Sequence, residues 1–393
     1  MRSVTVEQRR ARLAWRHRLA PAARVDDDVA AITRDLVVLH ATDPATMVLA
    51  AAVRMRQPAV AAVEAALYED RTIVRMLGMR RTLFGVAAAD LGTVQRSSSD
   101  EVAVVERRRF EKMLVDGGIT RDPRRWLRGV ERKTLAAVDE LGEAAATDLT
   151  PRVAELARQI PVAQGKAYAG SVGVSSKVLF QLAVEGHLVR GRPKGGWTSG
   201  VHRWSRPETW LGEPIDRSLT APEAKVQLAQ RWLARFGPAP LGDLKWWTGW
   251  TLGATRAAAA ELDIAEVELG GTTGLVLADD VDDVADPGPW VALLPGLDPT
   301  TMGWQQRAWY LGDHKPHVFD RNGNAGPTVW VDGRIVGGWA QRKDGEVVVR
   351  LLEDVGSERA AQVAAEAERL RQLVGDVRVT PRFPTPLDKE LSA

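Results

Sequence analysis

The chain reads as an α+β protein: tandem winged-helix (helix-turn-helix) modules closed by a C-terminal antiparallel β-region. Three observations predict this. Helical stretches are repeatedly followed by a short hairpin, and the hairpin of the second unit is basic, as in a winged helix. A short internal echo, Gly142-x-Ala144-x-x-x-Asp148-Leu149 and Gly237-x-Ala239-x-x-x-Asp243-Leu244, stands before the second helix of two units. Past residue 289, alternating strand patterns with Asp-Gly turns replace the helical spacing. The expected units are 1–122, an elaborated first module; 123–215 and 216–288, two further modules; and 289–393, a β-rich region with a final helix.

Residues 5–19 and 27–40 have helical periodicity; in the second, Val29, Ile32, Leu36 and Leu39 share a face. That helix is expected to end near His40. After the connector Ala41-Thr42-Asp43, Pro44 opens a helix to Arg56, with Asp43 as N-cap and proline at the first helical position. A further helix starts at Pro58. Residues 71–86 mix β-formers with arginines around Gly78 and predict a bent strand or hairpin. Residues 98–116 form a helix carrying Glu106, Arg107, Arg108 and Arg109, most of which must face solvent or a polyanion.

The second unit starts with a helix over 123–141. Thr147-Asp148-Leu149-Thr150-Pro151 is read as the cap of a helix over 151–160. Ser175 or Ser176 caps a helix over 176–185, which Gly186 ends. A strand over 188–192, the turn Pro193-Lys194-Gly195-Gly196 and a returning strand over 197–204 complete a basic hairpin. In the third unit, helices over 221–236 and 253–262 flank FGPAPLGDLKWWTGWT, and strands over 264–269 and 274–278 follow. An acidic stretch, 279–289, links to the β-region, where Asp332-Gly333 and Asp344-Gly345 are hairpin turns and 356–373 a helix.

Composition narrows the functional classes. The 393 residues are 45% apolar, enough for several cores, and no run is apolar over membrane-spanning length. The basic N-terminus lacks the apolar core of a secretion signal. With no cysteine there are no disulfides, cysteine zinc sites or thiol nucleophiles, which suits the cytoplasm. The formal charge is only +2, but basic residues cluster at 9–18, 71–81, 107–112, 121–133 and 190–206. Such stripes either track phosphates or are solvated helix faces. Trp246, Trp247 and Trp250 have the spacing of a buried face, which suits them better than a base-stacking platform. His314 and His317 suit a loop better than a metal pair, and Pro-Lys-Gly-Gly is a hairpin turn, not a phosphate loop.

Several motifs in order, LHATDPATMVLAAAVR, MLGMRRTLFGV, FGPAPLGDLKWWTGW, LLPGLDPTTMGW and VFDRNGNAGPTVWVDGRIVGGW, resemble the bacterial winged-helix family that includes the AlkZ- and YcaQ-type DNA glycosylases. The resemblance runs over nearly the whole chain. It implies three tandem winged-helix units forming a concave surface for double-stranded DNA, and excision of alkylated bases such as N7-alkylguanine. The family's catalytic Gln-apolar-Gln or Gln-apolar-Asp falls on His40, Ala41 and Thr42, so this chain departs at both polar positions. Met79-Arg80-Arg81-Thr82-Leu83 resembles the family's Arg-Gly-Thr-Leu, with Arg81 in place of glycine.

Two functions follow as expectations. In the first, His40, Thr42 and Asp43 line the site of a monofunctional glycosylase that needs no cofactor. Neutral His40 orients or deprotonates a water, Thr42 holds it, and Asp43 is either a carboxylate for the sugar cation or only a helix cap. Arg80 and Arg81 meet phosphate, and Arg190, Arg192, Lys194, His202 and Arg203 form a basic wing. In the second, the scaffold binds DNA as a regulator or lesion binder without catalysis. The protein is expected as a cytoplasmic monomer, nucleoid-associated when bound to DNA, with no membrane, metal or nucleotide partner. Failure to bind DNA would leave protein–protein contact as the third reading.

Overall fold

The computed structural model describes residues 1–26, 28–162 and 169–393. One order of elements recurs three times: helix, short strand or bridge, two helices, hairpin. The first copy follows a strand, β1 (Arg2–Ser3), and a helix, α1 (Val6–Arg16). It contains α2 (Val29–Asp35), β2 (Leu39–His40), α3 (Pro44–Ala52), α4 (Val60–Tyr68), and the hairpin β3 (Ile73–Leu77) and β4 (Leu83–Ala87). After the short α5 (Leu91–Val94) and α6 (Asp100–Asp116), the second copy has α7 (Pro123–Leu141), β5 (Glu143–Ala144), α8 (Ala146–Leu149), a β6–β7 pair (Gln159–Val162, Gly170–Gly173), α9 (Val174–Val184), and the hairpin β8 (Val189–Pro193) and β9 (His202–Ser205). Beyond α10 (Pro207–Leu211), the third has α11 (Ala221–Phe236), α12 (Leu241–Thr248), α13 (Leu252–Ala260), β10 (Ile264–Glu268) and β11 (Thr273–Leu277).

In each copy a residue three to five positions past the first helix pairs antiparallel with the last strand of the hairpin: His40 with Phe84, Ala144 with Trp204, Ala239 with Leu275. Ala144 and Ala239 are the alanines of the internal echo, so the echo marks one structural position. Its leucines, Leu149 and Leu244, are both fully buried.

Several elements differ from expectation. Asp27, first residue of the expected 27–40 helix, lies outside the described residues. That helix stops at Asp35, and His40 stands on a strand, held by Phe84 far along the chain. No α-helix occupies 151–160: α8 ends at Leu149, Pro151 follows its end rather than opening a helix, and only a single 3-10 turn, Ala154–Ala157, precedes the strand from Gln159. Asp148 lies inside α8 and accepts from the Ala145 N–H at its own start (2.9 Å). Gly173, not a serine, precedes α9; Ser176 Oγ donates back to the Gly173 carbonyl (2.8 Å).

The two hairpins of the first and second copies meet. Arg75 pairs with Arg190, giving one six-stranded sheet in the order β2-β4-β3-β8-β9-β5. The C-terminal region is an antiparallel sheet, β12 (Val291–Leu294), β13 (Thr328–Val331), β14 (Arg334–Gln341) and β15 (Val347–Leu351), with turns at Asp332-Gly333 and Asp344-Gly345 as expected. Short helices α14 (Ala308–Leu311) and α15 (Lys315–Val318) lie between β12 and β13; α16 (Gly356–Val374) packs on the sheet, and α17 (Pro386–Leu391) follows. All nine residues of α3 are buried, as a helix apolar on every side must be. Among the described residues no helix is long and apolar enough to cross a membrane.

The acidic stretch after β11 is a strap on α1. Asp280 accepts from Arg12 (3.0 Å) and from Arg16 on both oxygens (2.5 and 2.6 Å), and Gln8 makes two bonds to Val284 (3.0 and 3.2 Å). Arg10 donates to the Trp309 carbonyl and Arg18 to Asp35. The basic run at 9–18 is thus largely committed inside the protein. Arg107 is likewise held by Glu131 (2.8 Å) and Glu185 (2.7 Å).

Candidate active site

His40 sits on β2, the edge strand of the six-stranded sheet, with its ring edge-on to Phe84 at 5.0 Å. Only 8% of the residue is exposed, and Nδ1 is buried without a hydrogen-bond partner among the described residues. Burial, with a smaller contribution from the charge of Arg80, lowers its pKa to about 3. The imidazole is therefore neutral at working pH. It can orient a water by hydrogen bonding but is a weak base.

Thr42 is half-buried, and its carbonyl accepts from the Arg382 guanidinium (3.1 Å). Asp43 caps α3 as its position before Pro44 predicts: Oδ1 accepts from the Ala45 N–H (3.1 Å). Its other oxygen accepts from the Arg382 backbone N–H (3.0 Å). Both oxygens are engaged, so the carboxylate fastens the C-terminal segment to the start of α3. Behind it a cavity of about 10 Å³, lined by Asp43, Thr46, Trp339, Gln341 and Pro381, has room for about one water.

Arg80 and Arg81 form the tip of the β3–β4 hairpin, and both take the left-handed backbone region (φ 54° and 59°). Glycine adopts that region without penalty, so the arginine at 81 carries strain that the family's glycine would not. Arg81 pairs with Glu106 (2.9 Å) and lies over Phe180 (5.1 Å). Arg80 is solvent-exposed yet crowded; burial of its guanidinium, then Arg307, lowers it to about 10, so it stays charged. It lies 4.4 Å over the ring of Trp246.

The other basic candidates stand apart from His40. Register puts Leu39, Gly85, Arg75, Arg190 and Trp204 in one row across the sheet, and His40, Phe84 and Met76 in the next. Neighbouring rows point to opposite faces, so Arg190 lies on the face opposite His40. It stacks over Trp204 (4.7 Å) and is lowered to about 10 by burial and Arg75. His202 bonds Arg75 Nη1 (3.1 Å) and is lowered to about 3 by burial, then by Arg75 and Arg190. Arg192 lies over Tyr68 and bonds Glu69 (3.1 Å); Arg203 bonds the Glu143 carbonyl (3.0 Å). Lys194 is exposed at the hairpin turn.

Sequence reasoning missed Arg75, Arg307 and the role of Trp246. Trp247 and Trp250 are buried as their spacing predicts, but Trp246 is only half-buried and carries two guanidiniums. Nothing local in the sequence signals those pairings. Among the described residues no three His, Asp or Glu side chains gather into a metal site; His314 bonds Glu353 (3.2 Å) instead.

The fold is similar to that of a solved structure, the Streptomyces sahachiroi DNA glycosylase AlkZ. The TM-score is 0.73 with 20% sequence identity, over 97% of this chain and 99% of that one. No protein of curated function matches the sequence significantly. The family described as DNA glycosylase AlkZ-like, in contrast, matches residues 33–373. By that match over most of its length, the chain belongs to the AlkZ-like DNA glycosylase family.

Proposed function

We propose that this protein binds duplex DNA through three tandem winged-helix modules and hydrolyses the N-glycosidic bond of cationic, N7-alkylguanine-type bases at the His40 corner. The observation that carries the catalytic part is the neutral imidazole of His40, whose buried Nδ1 has no partner among the described residues. A buried polar atom without a partner costs about 1–3 kcal/mol, and such atoms point to a water or a substrate group. N7-alkylation already makes the base a good leaving group. The C1′–N9 bond breaks with its electron pair going to the base, which leaves as the neutral N7-alkylguanine, and water supplies the new C1′–O bond and loses its proton to solvent. What remains for the protein is to position that water and shield the sugar cation. His40 orients the water and the Thr42 hydroxyl assists. Asp43, with both oxygens engaged, is structural.

The threefold helix–strand–helix–helix–hairpin order supports the winged-helix reading, whose units are 1–122, 123–215, 216–288 and 289–393. For DNA contact, Arg80 and Lys194 offer exposed charge. Arg81, Arg192 and Arg203 would exchange a protein partner for phosphate, and Arg190 and His202 contribute from a crowded seam. The protein acts as a cytoplasmic, nucleoid-associated monomer.

The test is a duplex carrying one N7-methylguanine, incubated with the full chain and treated with alkali to cut abasic sites. Wild type is expected to release the base, and His40→Ala to slow release by on the order of 10²-fold. Release at the same rate in the variant removes His40 from the mechanism. Engagement of Asp43, together with the departure from the family's Gln motif, favours a second reading, a binder without catalysis. Duplex affinity that falls with salt while no base is ever released establishes that one.

A further inference from the structure

Three segments far apart in the sequence converge on Trp246: the tip of the β3–β4 hairpin, whose Arg80 lies close enough to act on His40, α12, and the loop before α14. Trp246 on α12 has the guanidinium carbon of Arg80 at 4.4 Å from its ring centre and that of Arg307 at 5.1 Å. Neither arginine forms an ion pair among the described residues, and their charges repel: Arg307 lowers the pKa of Arg80. Asp243, the acid near enough to feel Arg307, is fully buried and makes no ion pair with it.

Both arginines are held in place. Arg80 sits against Gly249, a left-handed residue (φ 75°) where a Cβ would lie 2.8 Å from Arg80 Cγ. Arg307 Nε donates to the Trp304 carbonyl (3.0 Å). The two residues before it, Gln305 and Gln306, donate their N–H groups to one oxygen of Asp243 (3.0 and 2.9 Å). Asp243 thereby positions the loop from beneath. Two fixed like charges on one indole, with no carboxylate bridging them, are unfavourable until an anion arrives. A guanidinium presents a planar fork of N–H donors that fits phosphate oxygens, and the indole face holds that plane and excludes water.

We propose that Arg80 and Arg307, braced on Trp246, clamp a single phosphodiester of duplex DNA next to His40. This rests on the DNA-binding reading. All three are positioning residues: the clamp sets where a nucleotide lies relative to the imidazole. A phosphate there also neutralises the charge that Arg80 presents to His40.

The experiment is duplex affinity of the full chain against salt, from about 50 to about 200 mM, for wild type, Arg80→Gln, Arg307→Gln and the double variant. Thermal melting confirms that each variant is folded. Each single variant should reduce the slope of log affinity on log salt by about 0.9, the value of one phosphate. The double variant should reduce it by no more than either single, since one shared phosphate can be lost only once. Trp246→Leu should weaken binding. A double variant that loses about 1.8 means two independent contacts and overturns the shared clamp. Unchanged slopes in both singles, with wild type still binding DNA, overturn the clamp while leaving the function standing. Wild type that fails to bind duplex at low salt removes both. Displacement of duplex by millimolar inorganic phosphate at matched ionic strength, lost in Arg80→Gln, reassigns the site to a free anion.

Discussion

Asp43 and His40 stand on one short connector and behave oppositely. Asp43 has spent both oxygens on backbone N–H groups, while His40 has spent none of its Nδ1 capacity. Loss of the cap and of the Arg382 clasp in Asp43→Ala should lower stability by about 1–2 kcal/mol in urea unfolding, whereas Asp43→Asn keeps an acceptor for the Ala45 N–H and should lose less. If Asp43→Asn folds normally yet releases no base, Asp43 is chemical after all. His40 makes a pH prediction. Its folded pKa, about 3, lies below the ordinary 6.5 of the unfolded chain, so the unfolded state binds the proton first. Its contribution is complete above pH 6.5 and is lost as pH falls from 6.5 towards 3. Between pH 7 and pH 5 wild type should therefore lose about 2 kcal/mol more than His40→Gln. Equal losses would show that His40 is not held neutral. The cap was legible because Asp-Pro is a local signal. The strand under His40 was not, because its partner, Phe84, lies in another element.

At the scale of elements, the seam between two hairpins is the least expected feature. Arg75 and Arg190 face each other across β3 and β8, a like-charge pairing that destabilises a sheet. Arg75 is 2% exposed, and its Nε and Nη2 have no partner among the described residues. Replacing such a buried charge with an apolar chain of similar length is often neutral or stabilising. Arg75→Met should accordingly hold or raise the melting temperature. It should also move the His202 titration, followed by NMR, upward from about 3, because a neighbouring charge has been removed. A large loss of stability would mean that Arg75 has a partner the seam supplies. The hairpins themselves were readable from Gly186, Pro-Lys-Gly-Gly and the Asp-Gly turns, since turn chemistry is local. Their joining into six strands was not, because strand order depends on contacts between distant segments. Proline was ambiguous in the same way. Pro44 opens α3 while Pro151 follows the end of α8, and only the surrounding contacts separate the two uses. The basic run at 9–18 misled for a related reason: much of its answer lies in the acidic stretch after β11, hundreds of residues away.

Across the whole molecule, the position of the candidate site is set by the C-terminal region, which grips α3 at both ends. At its start Arg382 holds Asp43, and Thr46 Oγ1 donates to the Gly296 carbonyl (2.7 Å). Just past its end Arg54 and Asp298, both with 0% side-chain exposure, form a two-pronged pair (2.9 and 2.8 Å). Arg54 also donates to the carbonyls of His17 (2.9 Å) and Ala50 (2.5 Å) and to Thr300 Oγ1 (2.8 Å), so the N-terminal helix joins the same knot. α3 and the β-region share one apolar core, and among the polar ties that pin them Arg54 and Asp298 have left water and depend on one another. Arg54→Met strands the Asp298 carboxylate in the core and should cost about 3–5 kcal/mol. Asp298→Leu strands the guanidinium and should cost a similar amount. The double variant, with neither charge, should recover most of the loss, because the desolvation penalty vanishes along with the attraction. Urea unfolding of all four proteins closes the cycle. Losses that simply add would mean that Arg54 and Asp298 hold the structure through separate partners, and α3 would then be tied to the C-terminal sheet chiefly through Asp43 and Thr46.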